Sequence, residues 1–123
     1  MIKYGKITAF ENDLKHLLKK YPSLEGDLET LKKSVITLYH SQKINPNAVF
    51  PIPGLCVEGK YVSIKVKKIA CRSLKGKGSN TGLRLIYLFD PRKEQVTFLE
   101  IYCKADKANE DRDRIRAFIK RLS

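Results

Sequence analysis

The chain has no tryptophan and a single methionine, and its three cysteines, Cys56, Cys71 and Cys103, stand far apart. An odd, widely spaced set argues against a disulfide framework and for reduced thiols, as in a cytosol. There is no CxxC pair, and neither His16 nor His40 has a cysteine at ligand spacing, so neither a zinc site nor any other cofactor is expected. No apolar run approaches the roughly 18 residues that span a bilayer. The first ten residues carry Lys3 and Lys6 where a signal peptide would carry its apolar core. A membrane surface is disfavoured as a partner too, because no basic segment shows the Trp/Phe-rich apolar face that interfacial helices use. The most informative absence is local. Between Glu58 and Asp90 there is no acid, while eight basic residues fall in that interval.

What is present fits one folded domain. The 123 residues are 42% hydrophobic, with the apolar residues arranged periodically, enough for one core and too few for two ordinary domains. The net charge is +12, and it is lopsided: 17 basic against 7 acidic residues from Lys60 onward, 8 against 6 before it. Such a field points to a polyanionic partner, whether nucleic acid, a ribosome or an acidic protein.

IKYGKI alternates like a short strand. In the next segment Phe10, Leu14, Leu17, Leu18 and Tyr21 recur at helical spacing, Thr8 and Glu11 fit a capping box, and Pro22 stops the helix. A second helix is expected from Ser23, its cap, along the stripe Leu24, Leu28, Leu31, Val35 and Leu38, with Gly26 costing it up to about 1 kcal/mol. Residues 41–54 contain three prolines and predict an irregular connector. LCVEGKYVSIKVKKIA predicts a strand, or a hairpin turning at Glu58-Gly59. SLKGKGSNTG predicts a loop, and LRLIYLFD and QVTFLEIYC predict two strands joined by a PRKE turn. A last helix is expected to be capped by Asn109 and to turn Ile115, Phe118, Ile119 and Leu122 inward. Short turns between the later strands imply antiparallel pairing. The fold class is therefore α+β: a small antiparallel twisted sheet, an N-terminal helical hairpin packed on one face and a C-terminal helix, with the other face left to solvent or a partner.

Alternation along YVSIKVK puts Tyr61, Ser63, Lys65 and Lys67 on one side, and Val62, Ile64 and Val66 on the core side. The following loop lets the chain double back and bring Arg84 beside the two lysines. Cations so close together are costly, and a phosphate backbone would offset that cost. GKGSNTG does not match GxxxxGK[ST], so a flexible loop carrying Lys75 and Lys77 to a polyanion is the better reading than a phosphate loop. No Ser-His-Asp set or paired carboxylates are in view. His16 and His40 read as surface or cap residues, and Cys103 as core. Among aromatics, Tyr61 is the candidate for base stacking, and Tyr87 and Tyr102 stay open between core and surface. Chemistry here must use Lys and Arg. Cleavage of RNA by its own 2′-hydroxyl suits them: it needs alignment, stabilisation of extra negative charge and proton movement, but no metal. A lysine crowded by cations has a lowered pKa and can serve as general base.

These residues resemble the RelE/HigB-type toxins of bacterial toxin–antitoxin pairs. The resemblance runs through F-x-x-x-L-x-x-L-x-K-K-Y-P (residues 10–22), the K-x-K strand (Lys65, Lys67), the loop before G-L-R-L-I-Y (residues 82–87) and I-Y-C-K-A-D-K-A-N (residues 101–109). It covers nearly the whole chain through the order and spacing of its motifs. It implies a cytoplasmic single-domain toxin that enters the ribosomal A site and cuts messenger RNA, leaving a 2′,3′-cyclic phosphate. It further implies Lys65, Lys67 and Arg84 as catalytic residues, with Lys107 or, less well, Lys104 at the late basic position; Arg72, Lys75, Lys77, Lys104 and Arg112 are the residues expected to bind RNA. The implied partners are the ribosome, mRNA and an acidic antitoxin. Some relatives carry a late catalytic Tyr or His; this chain has Arg112, Arg114 and Arg116 in that region, which leaves Lys65 or Lys67 as the expected base. The resemblance extends to the ParE branch, which poisons DNA gyrase, and an inactive RNA-binding module is the remaining alternative.

Overall fold

Five strands form one open sheet in the order β1-β5-β4-β3-β2. They are β1 (Lys3–Lys6), β2 (Val49–Pro51), β3 (Val62–Val66), β4 (Leu83–Asp90) and β5 (Gln95–Cys103). The computed structural model describes residues 1–122. Only β1 runs parallel to its neighbour β5; every other pairing is antiparallel. The helices are α1 (Thr8–Leu18), α2 (Leu24–Leu31), α3 (Thr37–Ser41) and α4 (Arg112–Leu122), with α2 and α3 joined through a π-helical turn at Lys32–Ile36. The expected α+β class and helical hairpin are therefore present. None of the described helices is long and apolar enough to cross a membrane.

The helical stripes bury as their periodicity requires. Phe10 and Leu17 from α1, and Leu24, Leu28 and Leu31 from α2, pack on Ile64, Val66, Leu85, Tyr87 and Phe98 of the sheet. The capping box is not formed. Ile7 caps α1, and its N–H bonds Phe98 O at 3.2 Å. The ladder of β1 thus runs straight into the helix and leaves no separate turn for Thr8 to cap.

Ser23 does sit at the start of α2, but its hydroxyl donates to the Asp27 carboxylate at 2.7 Å and accepts from Ser73 Oγ, also at 2.7 Å. Asp27 also accepts from Arg72 Nε at 2.9 Å and from the Arg72 N–H at 3.1 Å. Gly26 leaves room for that guanidinium; a Cβ there would stand 2.5 Å from Arg72 Nη2. Burial alone would raise the Asp27 pKa, but the hydrogen bonds from Ser23 and Arg72 hold it below its usual value. Asp27→Ala is expected to cost about 2 kcal/mol, because a largely buried acceptor of several bonds is lost. Urea unfolding monitored by circular dichroism checks it.

The second face of the sheet is not open, contrary to expectation. Ile52, Leu55 and Tyr61, together with Ile115 and Phe118 of α4, cover Ile86, Leu88, Leu99 and Tyr102 in a second core. The physical reason lies in β4 and β5, which are apolar at both parities, as strands buried on two sides are. Tyr61 is buried there and does not serve as an exposed stacking surface. Helix α4 is capped by Asp111, whose Oδ1 accepts the Arg114 N–H at 3.0 Å, and not by Asn109. Ile115 and Phe118 of α4 are buried, whereas Leu122 is 43% exposed. The proline-rich connector contains β2, an edge strand that ends at Pro51 and so tolerates the missing N–H.

Candidate functional site

The covering elements stop short of one end of the second face. There β3 ends, β4 begins and β5 ends, so Lys67 and Arg84 come together beside the buried Tyr102. Arg84 stands opposite Tyr102 on β5. On its other side the β3–β4 register, continued one residue past Val66↔Leu85, sets Arg84 opposite Lys67. Lys67 is held there by its N–H bond to Ala48 O at 2.9 Å. Lys68, at φ 50°, then turns the chain out of the strand.

Lys67 and Arg84 share a groove of about 350 Å³ with Phe50, Ser79, Asn80 and Gly82. Lys67 Nζ lies 4.9 Å from the Phe50 ring, and Arg84 Nη1 donates to Leu83 O at 3.1 Å. No acid lines this groove among the described residues. Its far wall is set by Gly82, at φ +80°, whose carbonyl accepts the Lys104 N–H at 2.8 Å. An added Cβ at Gly82 would both strain that conformation and stand 3.6 Å from Cys103 Sγ. Thr81 pins the loop beside it, with its hydroxyl donating to Ile69 O and accepting from the Leu83 N–H.

The other expected cations are placed differently. Lys65 is largely buried and pairs with Glu110 at 2.8 Å. Burial pulls its amine pKa down, but the hydrogen bond to Glu110 and the nearby Tyr102 phenol outweigh that and hold it above the usual lysine value. Lys65 is thus the reverse of the lowered-pKa general base the sequence implied: the groups around it are a carboxylate and a phenol, not other cations. Lys107 pairs with the buried Glu100 and lies 5.3 Å from the Tyr102 ring. Arg112 reaches Pro53 O at 2.9 Å and Glu110 at 3.5 Å. Lys104 is exposed beside Gly82. Arg72 is spent on Asp27 at the helical face, away from the groove. Lys75 and Lys77 are exposed in the loop and are not among the groove's lining residues.

Sequence reasoning misses the part played by the buried Glu100 and the partly buried Glu110, and nothing in their spacing marks them. Glu110 would be raised by burial, but the Lys65 hydrogen bond and charge hold it below the usual carboxylate range. A depressed acid contributes stability above its unfolded value of 4.5, and that stability is lost as pH falls through the lower folded value. Lys65 works the other way, contributing below 10.5 and losing its contribution only above its raised folded value. Glu110→Gln is therefore expected to flatten the stability–pH curve below pH 4.5. Thermal unfolding between pH 2.5 and 7 measures it.

His40 is not a surface or cap residue. It stacks on Phe89 at 3.7 Å between centroids and meets the Tyr87 hydroxyl at 2.7 Å. Burial, with Lys43 nearby, lowers its pKa to about 4, so it is neutral at pH 7. Tyr87 and Tyr102 are both buried. No group of three or more His, Cys, Asp or Glu among the described residues could hold a metal ion. No protein-family model matches the chain, and no curated protein matches it significantly.

Proposed function

We propose that the protein is a messenger-RNA-cleaving toxin of the RelE/HigB type, acting at the ribosome and restrained by an acidic antitoxin. One observation carries the reading: Lys67 and Arg84 stand side by side in an acid-free groove, in a chain of charge +12. A phosphodiester supplies the missing counter-charge. Arg84 offers a planar fork for two phosphate oxygens, and Lys67 a point charge. As the 2′-hydroxyl oxygen gives its proton to water and bonds to phosphorus, negative charge grows on the non-bridging oxygens, and the 5′-oxygen departs and takes up a proton from water. Fixed cations at that position lower the barrier. Lys65, protonated and tethered to Glu110, positions and adds charge and does not accept the 2′-hydroxyl proton.

A second reading has its own support. Glu110 and Glu100 already neutralise Lys65 and Lys107, which leaves fewer free cations than a nuclease site would use and favours a module that binds RNA without cutting it. Purified protein incubated with translating ribosomes and a message separates the two. Fragments ending in 2′,3′-cyclic phosphate support the nuclease. Salt-sensitive RNA binding without fragments supports the module, and gyrase-dependent DNA cleavage would replace both with the ParE-type reading.

A further inference from the structure

Phe50 is the aromatic wall of the groove, and a site made only for phosphate has no use for it. It is 37% exposed, whereas the aromatic residues of β4 and β5 are buried or nearly so. It stands opposite Lys65 on β3, so its side chain shares the face of Lys65 and Lys67. At this end of the second face Arg84 and Lys67 lie side by side, with the Phe50 ring diagonally across from Lys67 on β2 and 4.9 Å from its Nζ. Adjacent strands are about 4.8 Å apart, so a ring one strand from the cations is within one nucleotide of a phosphate held on them. Ser79 and Asn80 line the same groove and offer donors and acceptors for a base edge.

We propose that Phe50 is a base-stacking platform, so that the groove takes a single-stranded nucleic acid with a phosphate on Lys67 and Arg84 and the neighbouring base on the Phe50 ring. This rests on the nucleic-acid reading of the groove and narrows it. A paired base has its faces covered by its neighbours, so the ligand is an unpaired segment. An acidic peptide would use the cations and leave the ring bare.

The absence of tryptophan from the chain makes the test direct, since Phe50→Trp introduces a single indole fluorophore at the platform. This variant, Phe50→Ala and Arg84→Ala are each titrated at fixed salt with a short single-stranded oligoribonucleotide, with an abasic oligomer of equal phosphate number, and with polyglutamate. Circular dichroism confirms that each variant is folded. Stacking is expected to quench the indole emission of Phe50→Trp with the base-bearing strand only. Phe50→Ala is expected to weaken that strand's binding about tenfold and leave the abasic oligomer unchanged, while Arg84→Ala weakens both. Equal quenching by the abasic oligomer or by polyglutamate, or unchanged RNA affinity in Phe50→Ala, overturns the platform. If Arg84→Ala still weakens binding in that case, the phosphate groove stands; if it changes nothing, the groove reading falls as well.

Discussion

Arg84→Ala is expected to lower ribosome-dependent RNA cleavage by about 10²- to 10³-fold, the usual loss when one fixed donor to a developing oxyanion is removed. The fold should not suffer. Among the described residues the Arg84 guanidinium bonds the neighbouring Leu83 carbonyl and forms no ion pair, so no described acid is left unpaired when it goes. A melting temperature within about 2 °C of the parent is expected, since surface changes of this kind usually stay within about 0.5 kcal/mol. Arg84→Lys keeps the charge and loses the two-point fork, so an intermediate rate is expected. Single-turnover cleavage of a defined message, with melting curves for each variant, measures both quantities. Undiminished cleavage by folded Arg84→Ala removes Arg84 from the site.

Glu100→Ala is expected to do the opposite, damaging the fold more than the groove. Glu100 is only 2% exposed. One carboxylate oxygen accepts the Asp111 N–H at 2.8 Å and the other holds Lys107. It thereby ties the residues before α4 down onto β5. Its removal strands a backbone donor, breaks an ion pair and leaves a cavity, together about 3 kcal/mol. In a domain of this size that lowers the melting temperature by about 10 °C. Glu100→Gln keeps an acceptor for Asp111 and is expected to cost less than half as much. Lys107 loses its counter-charge in either variant, so RNA affinity at low salt should rise. Equal losses for the two variants would assign the stability to the ion pair alone.

The helical hairpin is legible because its 3.6-residue apolar period survives in the sequence, and β4 and β5 are legible as nearly continuous apolar runs bounded by turn residues. Lys67 and Arg84 are legible for a related reason: strand alternation puts both on one face, and the antiparallel return of β4 brings Arg84 back to the end of β3, although residues 67–82 lie between the two strands. The departures have local causes. β2 is hidden by prolines that an edge strand tolerates. The cap of α4 falls on Asp111 and not Asn109 because several capping residues stand in a row. Lys65 and Lys67 suggest an open second face, although the apolar parity of β4 and β5 already requires a cover on both sides. The sequence neighbours of Lys65 are cationic, whereas its partner in space is Glu110, 45 residues away. Pairing of that kind leaves no trace in spacing.

The nuclease proposal itself is tested most directly in a bacterium that lacks the antitoxin. The parent chain and Arg84→Ala are induced side by side, and the 5′ ends of a message are mapped with its start codon intact and with it destroyed. Growth arrest with new ends only in the translated message, both lost in Arg84→Ala, is the expected result. Arrest without new ends, or the same ends in the variant, would contradict a phosphate-cleaving site at Lys67 and Arg84.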